Sequence, residues 1–171
     1  YQALINIKKV DLLIGGTSSN GTMAGSALIN SSKTVMITPV TGGSNVDNAG
    51  EYIFRIGNSD VLNGVDQADL LISRGLKRAA LLTEQTEYTD DIAKHFRPRY
   101  AKQGGAVVFD EFFAPGTTDF KALVSRIVAG KPQAIFMPTQ TGTALALFLK
   151  QLHTIGGVTG EIHTTFVAAP N

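Results

Sequence analysis

The stretch that decides the fold is Val10-Asp-Leu-Leu-Ile-Gly-Gly-Thr-Ser-Ser-Asn-Gly21. Its apolar run is typical of a buried strand, and the small and hydroxyl residues that follow are typical of a turn into a helix. Small ligands bind at such strand ends in open α/β sheets. Thr34-Val-Met-Ile-Thr-Pro-Val-Thr-Gly-Gly-Ser44 repeats the pattern. The two strand ends predict half of a pocket, and because no strong nucleophile or metal-ligand set accompanies them, they favour binding over catalysis.

The composition describes an ordinary globular protein. The 171 residues suit one large domain or two small ones, and 43% of them are hydrophobic. Formal net charge is +1 and no block of basic residues occurs, so nucleic acid and anionic membrane are poor partners. Cysteine is absent, which excludes disulfides, thiol catalysis and Cys-ligated zinc. No apolar run approaches the roughly 20 residues that span a bilayer.

The two ends of the sequence predict a fragment of a larger fold. Tyr1–Lys9 has neither the charged start nor the apolar core of a signal peptide, and it is typical of the tail of a helix that leads into a strand. The sequence ends at Asn171, just after a predicted strand. We therefore expect a piece of a longer protein.

Apolar runs of strand length alternate with segments of helical period along the chain. The predicted strands are continuous apolar runs, as in strands buried on both faces: Asp11–Ile14, Val35–Thr38, Ala79–Thr83, Ala106–Glu111, Ala134–Met137 and Ile162–Val167. The predicted helices are 20–30, 60–74, 89–103, 119–129 and 142–155. This alternation predicts an α/β fold of doubly wound parallel sheets.

Local signals place the boundaries of these elements. Ser59-Asp60 and Thr118-Asp119 are typical helix starts, whereas Pro98 inside the third helix predicts a kink or a shorter helix. A domain boundary is predicted at the extended run before Gly57-Asn58, with a crossing near 55–59. The predicted domains are 1–56, which is too small to bury a core alone, and 57–171.

Six segments in this order resemble the type I periplasmic binding proteins, specifically the branched-chain amino acid (Leu/Ile/Val) group that serves ABC importers. The resemblance covers nearly the whole chain. The segments are Val10–Ser19, Val35–Pro39, Tyr52–Arg55, Ser59–Gly64, Pro115–Val124, and Pro132–Met137 together with Ala146–Gln151.

The resemblance implies a fold and a function. It implies two doubly wound lobes joined by a hinge, with the first lobe incomplete here, and a ligand held in the cleft between the lobes. It also implies a periplasmic or otherwise extracytoplasmic location, ABC permease subunits as partners, no cofactor and no catalysis.

The first lobe supplies four candidate ligand residues under this resemblance. Ser18 and Ser19 match a serine pair that holds a ligand carboxylate, although either could instead only cap the following helix. Thr41 and Gly42 match a second loop that contacts the ligand. Because Gly42 carries no hydroxyl, the contact is either lost or made by Thr41 or Ser44; alternatively, the loop is only a flexible turn.

The second lobe supplies two more candidates. Tyr88 matches a tyrosine that reaches the ligand, with a surface ring as the alternative, and Gln140 stands where the family often has an aromatic residue. The last strand end, Thr164–Ala168, lacks the acidic residue that amino-acid-binding members often use for the ligand ammonium. An aliphatic or aromatic acid is therefore as credible a ligand as a branched-chain amino acid.

Two other classes compete with this interpretation. A ligand-sensing receptor or regulator on the same fold is the main alternative, and a doubly wound enzyme would need a phosphate loop or an acid–base cluster that the sequence lacks. The three histidines, His95, His153 and His163, have no catalytic or metal-like spacing. We also expect an incomplete first lobe to expose Leu12, Ile14, Val35 and Ile37, and hence the chain to be unstable alone or to self-associate.

Overall fold

The computed structural model describes residues 1–157 and 160–165. They form two compact units, the first being Tyr1–Asn63 and the second beginning at Gly64. The helices and strands alternate in the order β1 Leu12–Ile14, α1 Ser19–Ser31, β2 Val35–Thr38, β3 Ile53–Arg55, α2 Asp60–Ser73, β4 Arg78–Glu84, α3 Glu87–Lys102, β5 Ala106–Phe113, α4 Lys121–Ala129, β6 Ala134–Met137, α5 Gly142–Ile155 and β7 Glu161–Thr164. The predicted α/β fold with parallel sheets is confirmed.

The first unit is built on a three-stranded parallel sheet in the order β1-β2-β3. Leu13 pairs in register with Met36, and both are buried on the face that α1 covers with Ile29. Ile5, from a short π-helical segment at Ala3–Ile7, joins the same cluster. The helical tail predicted before the first strand is therefore this segment, and it helps to cover one face of the sheet.

The other face of this sheet is exposed. The register places Ile14 beside Ile37 and Ile37 beside Phe54, so these three side chains share one face. Ile14 is 74% exposed and Phe54 52%, and Leu12 two residues before Ile14 is also exposed. The prediction that every strand is buried on both faces is wrong for β1, because α1 and the π-helical segment cover only the opposite face. The expected exposure of Leu12 and Ile14 is confirmed, whereas Val35 and Ile37 are half-buried.

The second unit is built on a four-stranded parallel sheet in the order β5-β4-β6-β7. Alternate residues of β4 enter separate clusters: Ala80 and Leu82 pack with α4 and α5, whereas Ala79 and Leu81 pack with α2 and α3. Both faces of this sheet are therefore covered, as the continuous apolar runs predict.

Helix α3 runs through Pro98 to Lys102. The expectation of a shorter helix is wrong, because Phe96 and Tyr100 on either side of the proline are fully buried and anchor the helix to the sheet. Their rings stack at 5.1 Å, and the Tyr100 hydroxyl donates to the carbonyl of Leu76 at 2.6 Å. Burial raises the pKa of Tyr100 to about 12.

Most predicted boundaries move by one or two residues, and that of α4 has a visible cause. Helix α4 begins at Lys121, and Asp119 accepts a hydrogen bond from the Lys121 N–H at 3.0 Å, so the acidic residue precedes the helix. Strand β7 ends at Thr164, and the last predicted strand residues, Phe166 and Val167, lie outside the described residues.

Candidate ligand-binding site

Ser18 is the N-cap of helix α1. Its backbone is extended, and its hydroxyl oxygen accepts a hydrogen bond from the Gly21 N–H at 3.2 Å. The side chain is exposed. Since a serine hydroxyl that accepts one bond still carries its own proton, Ser18 keeps one donor for a ligand. The capping and ligand-binding interpretations of Ser18 are therefore compatible.

Ser19 joins the ends of β1 and β2. Its hydroxyl oxygen accepts the Gly43 N–H at 3.0 Å, across the 24 residues that separate the two loops. Its proton, too, is free to be donated, because the bond to Gly43 uses only a lone pair. Both serines thus present O–H donors beside the first turn of α1, where unpaired backbone N–H groups favour an anion.

Thr41 is part of the scaffold between the same two loops. It is 1% exposed, and its hydroxyl donates to the Gly16 carbonyl at 2.7 Å. The Thr22 hydroxyl lies 3.3 Å from the Thr41 hydroxyl and must be the donor, since the Thr41 proton is already used. Thr41 therefore holds the loops in place and has no proton left for a ligand carboxylate.

Gly42 is required by the close approach of Asp60. A Cβ at Gly42 would overlap the Asp60 carboxylate, with Asp60 Cγ only 2.7 Å away. The Gly42 carbonyl accepts hydrogen bonds from the Asp60 N–H at 2.8 Å and from Arg55 at 3.0 Å. The buried carbonyl and its two donors argue against a flexible turn, and the absence of a side chain here has a packing reason.

Tyr88 lies in the first turn of α3, which follows β4 directly. The helix is capped by Thr86, whose hydroxyl accepts the Thr89 N–H at 3.3 Å. Tyr88 is half-buried against the cluster that contains Ile92 and Phe96. A shallow open groove at the start of the same helix is lined by Gln85, Thr86, Glu87, Asp90 and Phe112, and Tyr88 is not among its lining residues.

Gln140 follows β6, and its side chain is exposed. Its backbone N–H donates to the carboxylate of Glu84 at 2.6 Å. Glu84 is the last residue of β4 and is 1% exposed. The sequence analysis does not single out Glu84, although a charged residue directly after the buried run Ala79–Thr83 is a signal that could have identified it.

The candidates thus fall on strand ends of both units. In the first unit the structure brings together the ends of β1 and β2, with Ser18, Ser19, Thr41 and Gly42. In the second unit the candidates follow β4 and β6, as Tyr88 and Gln140. The described residues include no cluster of His, Asp and Glu side chains that could hold a metal, and none of their helices is long and apolar enough to cross a membrane.

A family model described as "Periplasmic binding protein" matches residues 1–169. The chain therefore belongs to the periplasmic binding protein family, a family of solute-binding proteins. A search of curated proteins finds no match.

Solved structures of ABC transporter solute-binding proteins share the fold. The leucine-binding protein LivK of Thermotoga maritima has a TM-score of 0.86 and 26% identity, over 97% of this chain and 47% of its own. A solute-binding protein of R. palustris in complex with 4-hydroxybenzoate has a TM-score of 0.86 and 24% identity, over 98% and 46%. LivJ of Streptococcus pneumoniae in complex with isoleucine has a TM-score of 0.84 and 24% identity, over 95% and 46%.

This chain thus spans just under half the length of these proteins. The resemblance to the branched-chain amino acid group of type I periplasmic binding proteins and the fold inferred from it are confirmed. The six candidate ligand residues stay predictions.

Proposed function

We propose that the chain is part of an extracytoplasmic solute-binding protein that delivers a small carboxylate-bearing ligand to an ABC permease and catalyses no reaction. Membership of the periplasmic binding protein family supports this proposal, as do the likenesses to structures of ABC transporter proteins. Under the proposal, the protein acts in the periplasm or outside the membrane.

The proposal that the ligand bears a carboxylate rests on the pair of serines at the start of α1. Ser18 and Ser19 each accept a backbone N–H and keep their own protons, so both hydroxyls retain a donor at the positive end of α1. An ionised carboxylate only accepts hydrogen bonds and matches this arrangement. An ammonium group could use only the remaining hydroxyl lone pairs, and the positive end of α1 disfavours it.

The rest of the ligand is either an amino acid or an aliphatic or aromatic acid. Solved relatives with the same fold hold isoleucine in one case and 4-hydroxybenzoate in another, so the fold accommodates both classes. The absence of an acidic residue at 164–168 removes one partner for an ammonium group. Tyr88 and Gln140 are the proposed further contacts.

A thermal-shift panel on the full-length gene product tests the proposal. The panel sets amino acids beside aliphatic and aromatic carboxylates, together with the matching amides and alcohols. A ligand at 100 times its Kd adds about 2.7 kcal/mol, which raises Tm by several degrees. We expect one class of carboxylate to raise Tm and its amide to have no effect. Equal effects of acid and amide would contradict the serine site, and no response to any compound would contradict the function.

Variants of Ser18 separate ligand binding from helix capping. Ser18→Asp keeps a good N-cap but places a negative charge beside the ligand carboxylate, so we expect Tm to be preserved and affinity to fall at least about tenfold. Ser18→Asn is the matched control, because it caps equally well without the charge. Equal affinity of the two variants, measured by calorimetry, would show that Ser18 only caps the helix.

A further inference from the structure

Glu84 lies where the order of strands in the second sheet reverses. From β4 the chain proceeds to β5 on one side and then to β6 on the other, so the reversal lies between β4 and β6. In doubly wound sheets this place at the carboxyl ends of the strands is where ligands usually bind. Here the side chain of Glu84 lies at the end of β4 and contacts the loop that follows β6.

The Glu84 carboxylate holds the loop that leads into α5. One oxygen, Oε2, accepts hydrogen bonds from the Thr139 hydroxyl at 2.7 Å and from the Gln140 N–H at 2.6 Å. Thr139 is fully buried, and its carbonyl accepts a further bond from the Thr165 hydroxyl. Helix α5 begins two residues after Gln140, so the negative charge also lies near the positive end of that helix.

The backbone of Glu84 holds the start of α3. Its carbonyl accepts hydrogen bonds from the Thr86 N–H at 2.8 Å and from the Thr89 hydroxyl. These two residues flank Tyr88 in the first turn of the helix. The Glu84 N–H in turn donates to the Pro138 carbonyl at 3.0 Å, which joins β4 to the end of β6.

A buried carboxylate is costly unless it is hydrogen-bonded, so a carboxylate at this position calls for a reason beyond packing. We propose that Glu84 is a positioning residue whose carboxylate fixes the loop carrying Gln140 in the orientation in which Gln140 contacts ligand. The start of α3 beside Tyr88 is held by the main chain of the same residue. This inference rests on the proposed function, since the ligand contact of Gln140 belongs to it. Glu84 itself is buried and acts only through the two segments that it joins.

Amide hydrogen exchange of the full-length, ligand-free protein tests the first part of the proposal. Glu84→Gln replaces a charged acceptor by a neutral one of the same shape, and we expect the Gln140 amide to exchange about tenfold faster. Thr139→Val removes one bond to the same carboxylate without a change in β4, and it should give a smaller increase. Thr83→Val is the control at the neighbouring buried position and should leave Gln140 unchanged. Unchanged exchange in both Glu84→Gln and Thr139→Val overturns the proposal.

A double-mutant cycle on affinity tests the second part, with the compound that gives the largest shift in the panel above. We expect Glu84→Gln to weaken binding about tenfold in the wild-type background and to have less effect in a Gln140→Ala background, because the residue acts partly through Gln140. An equal loss in both backgrounds would mean a general effect on the fold and would overturn the proposal. If the wild type binds nothing, the proposed function fails, whereas the exchange experiment still decides whether Glu84 fixes the loop.

Discussion

The sheets of the two units are covered by buried residues to different extents. The sheet of the second unit is covered on both faces by two clusters of buried residues, whereas the sheet of the first unit has one cluster and leaves Leu12, Ile14 and Phe54 exposed. A parallel sheet normally has both faces covered. Most of the hydrophobic stabilisation therefore belongs to the second unit.

The candidate site residues of the two units are also held by different contacts. In the first unit, hydrogen bonds join the loops after β1 and β2, from Thr41 to Gly16 and from Gly43 to Ser19, and Arg55 donates to the Gly42 carbonyl. In the second unit, a buried carboxylate, Glu84, holds the loop after β6 above a dense aromatic core. The loops of the first unit are thus set by close contacts with each other and with Asp60, whereas the loop after β6 is set by the buried Glu84 carboxylate.

A phenylalanine-to-alanine substitution in each unit should give the largest difference in the free energy of unfolding. Phe96→Ala removes a fully buried ring that lies 5.0 Å from Phe136, and it should lower the free energy of unfolding by about 3–5 kcal/mol. Phe54→Ala removes a half-exposed ring and should cost less than about 1 kcal/mol. Urea unfolding of the 171-residue chain measures both values. Similar costs for the two variants would mean that the face around Phe54 is covered in solution, which would remove the contrast between the units.

The second prediction tests the close packing of Gly42 against Asp60 in the first unit. Gly42→Ala places a methyl group on the Asp60 carboxylate and should cost about 1–3 kcal/mol, and Gly42→Ser should cost as much without restoring a ligand contact. Gly15→Ala is the matched control, because nothing lies within 4 Å of a Cβ there. Tm and ligand affinity should be measured for all three variants. A stable Gly42→Ser variant with raised affinity would show instead that Gly42 is a lost ligand contact.

The sequence predicts the regular elements well, because apolar period and caps are local signals. Val35–Thr38 and Ala134–Met137 match their strands to the residue. The shorter helix predicted from Pro98 is wrong because the penalty of a proline is local, whereas the burial of Phe96 and Tyr100 that offsets it is tertiary. The exposure of Ile14 could be anticipated only from the resemblance, since an apolar run looks the same whether one face or two are covered.

The sequence places the candidate residues on the chain but does not predict their partners. Ser18 is expected either to contact the ligand or only to cap the helix, and its cap bond leaves the hydroxyl proton unused. Thr41 and Gly42 have the expected positions, but their partners, Gly16 and Asp60, lie 25 and 18 residues away in sequence and follow from no local pattern. Glu84 has a local signal, its charge directly after a buried run, but its role depends on contacts with a loop 55 residues further along the chain.

The substitution with the smallest expected effect on stability tests the exposed face of the first sheet. Ile14 lies at the end of the edge strand β1 and is 74% exposed, so Ile14→Lys should change the free energy of unfolding by less than about 0.5 kcal/mol. A lysine on an exposed edge strand opposes strand-to-strand association, so we expect the 171-residue chain to self-associate and the variant to do so less. Ile155→Lys makes the same change at an exposed position at the end of α5, which is not part of a strand, and should leave association unchanged. Light scattering over a range of concentrations measures the self-association of the unmodified chain and of both variants. If the unmodified chain stays monomeric at every concentration, the exposed face of the first unit does not drive association, and the lower coverage of that sheet has no consequence for its behaviour in solution.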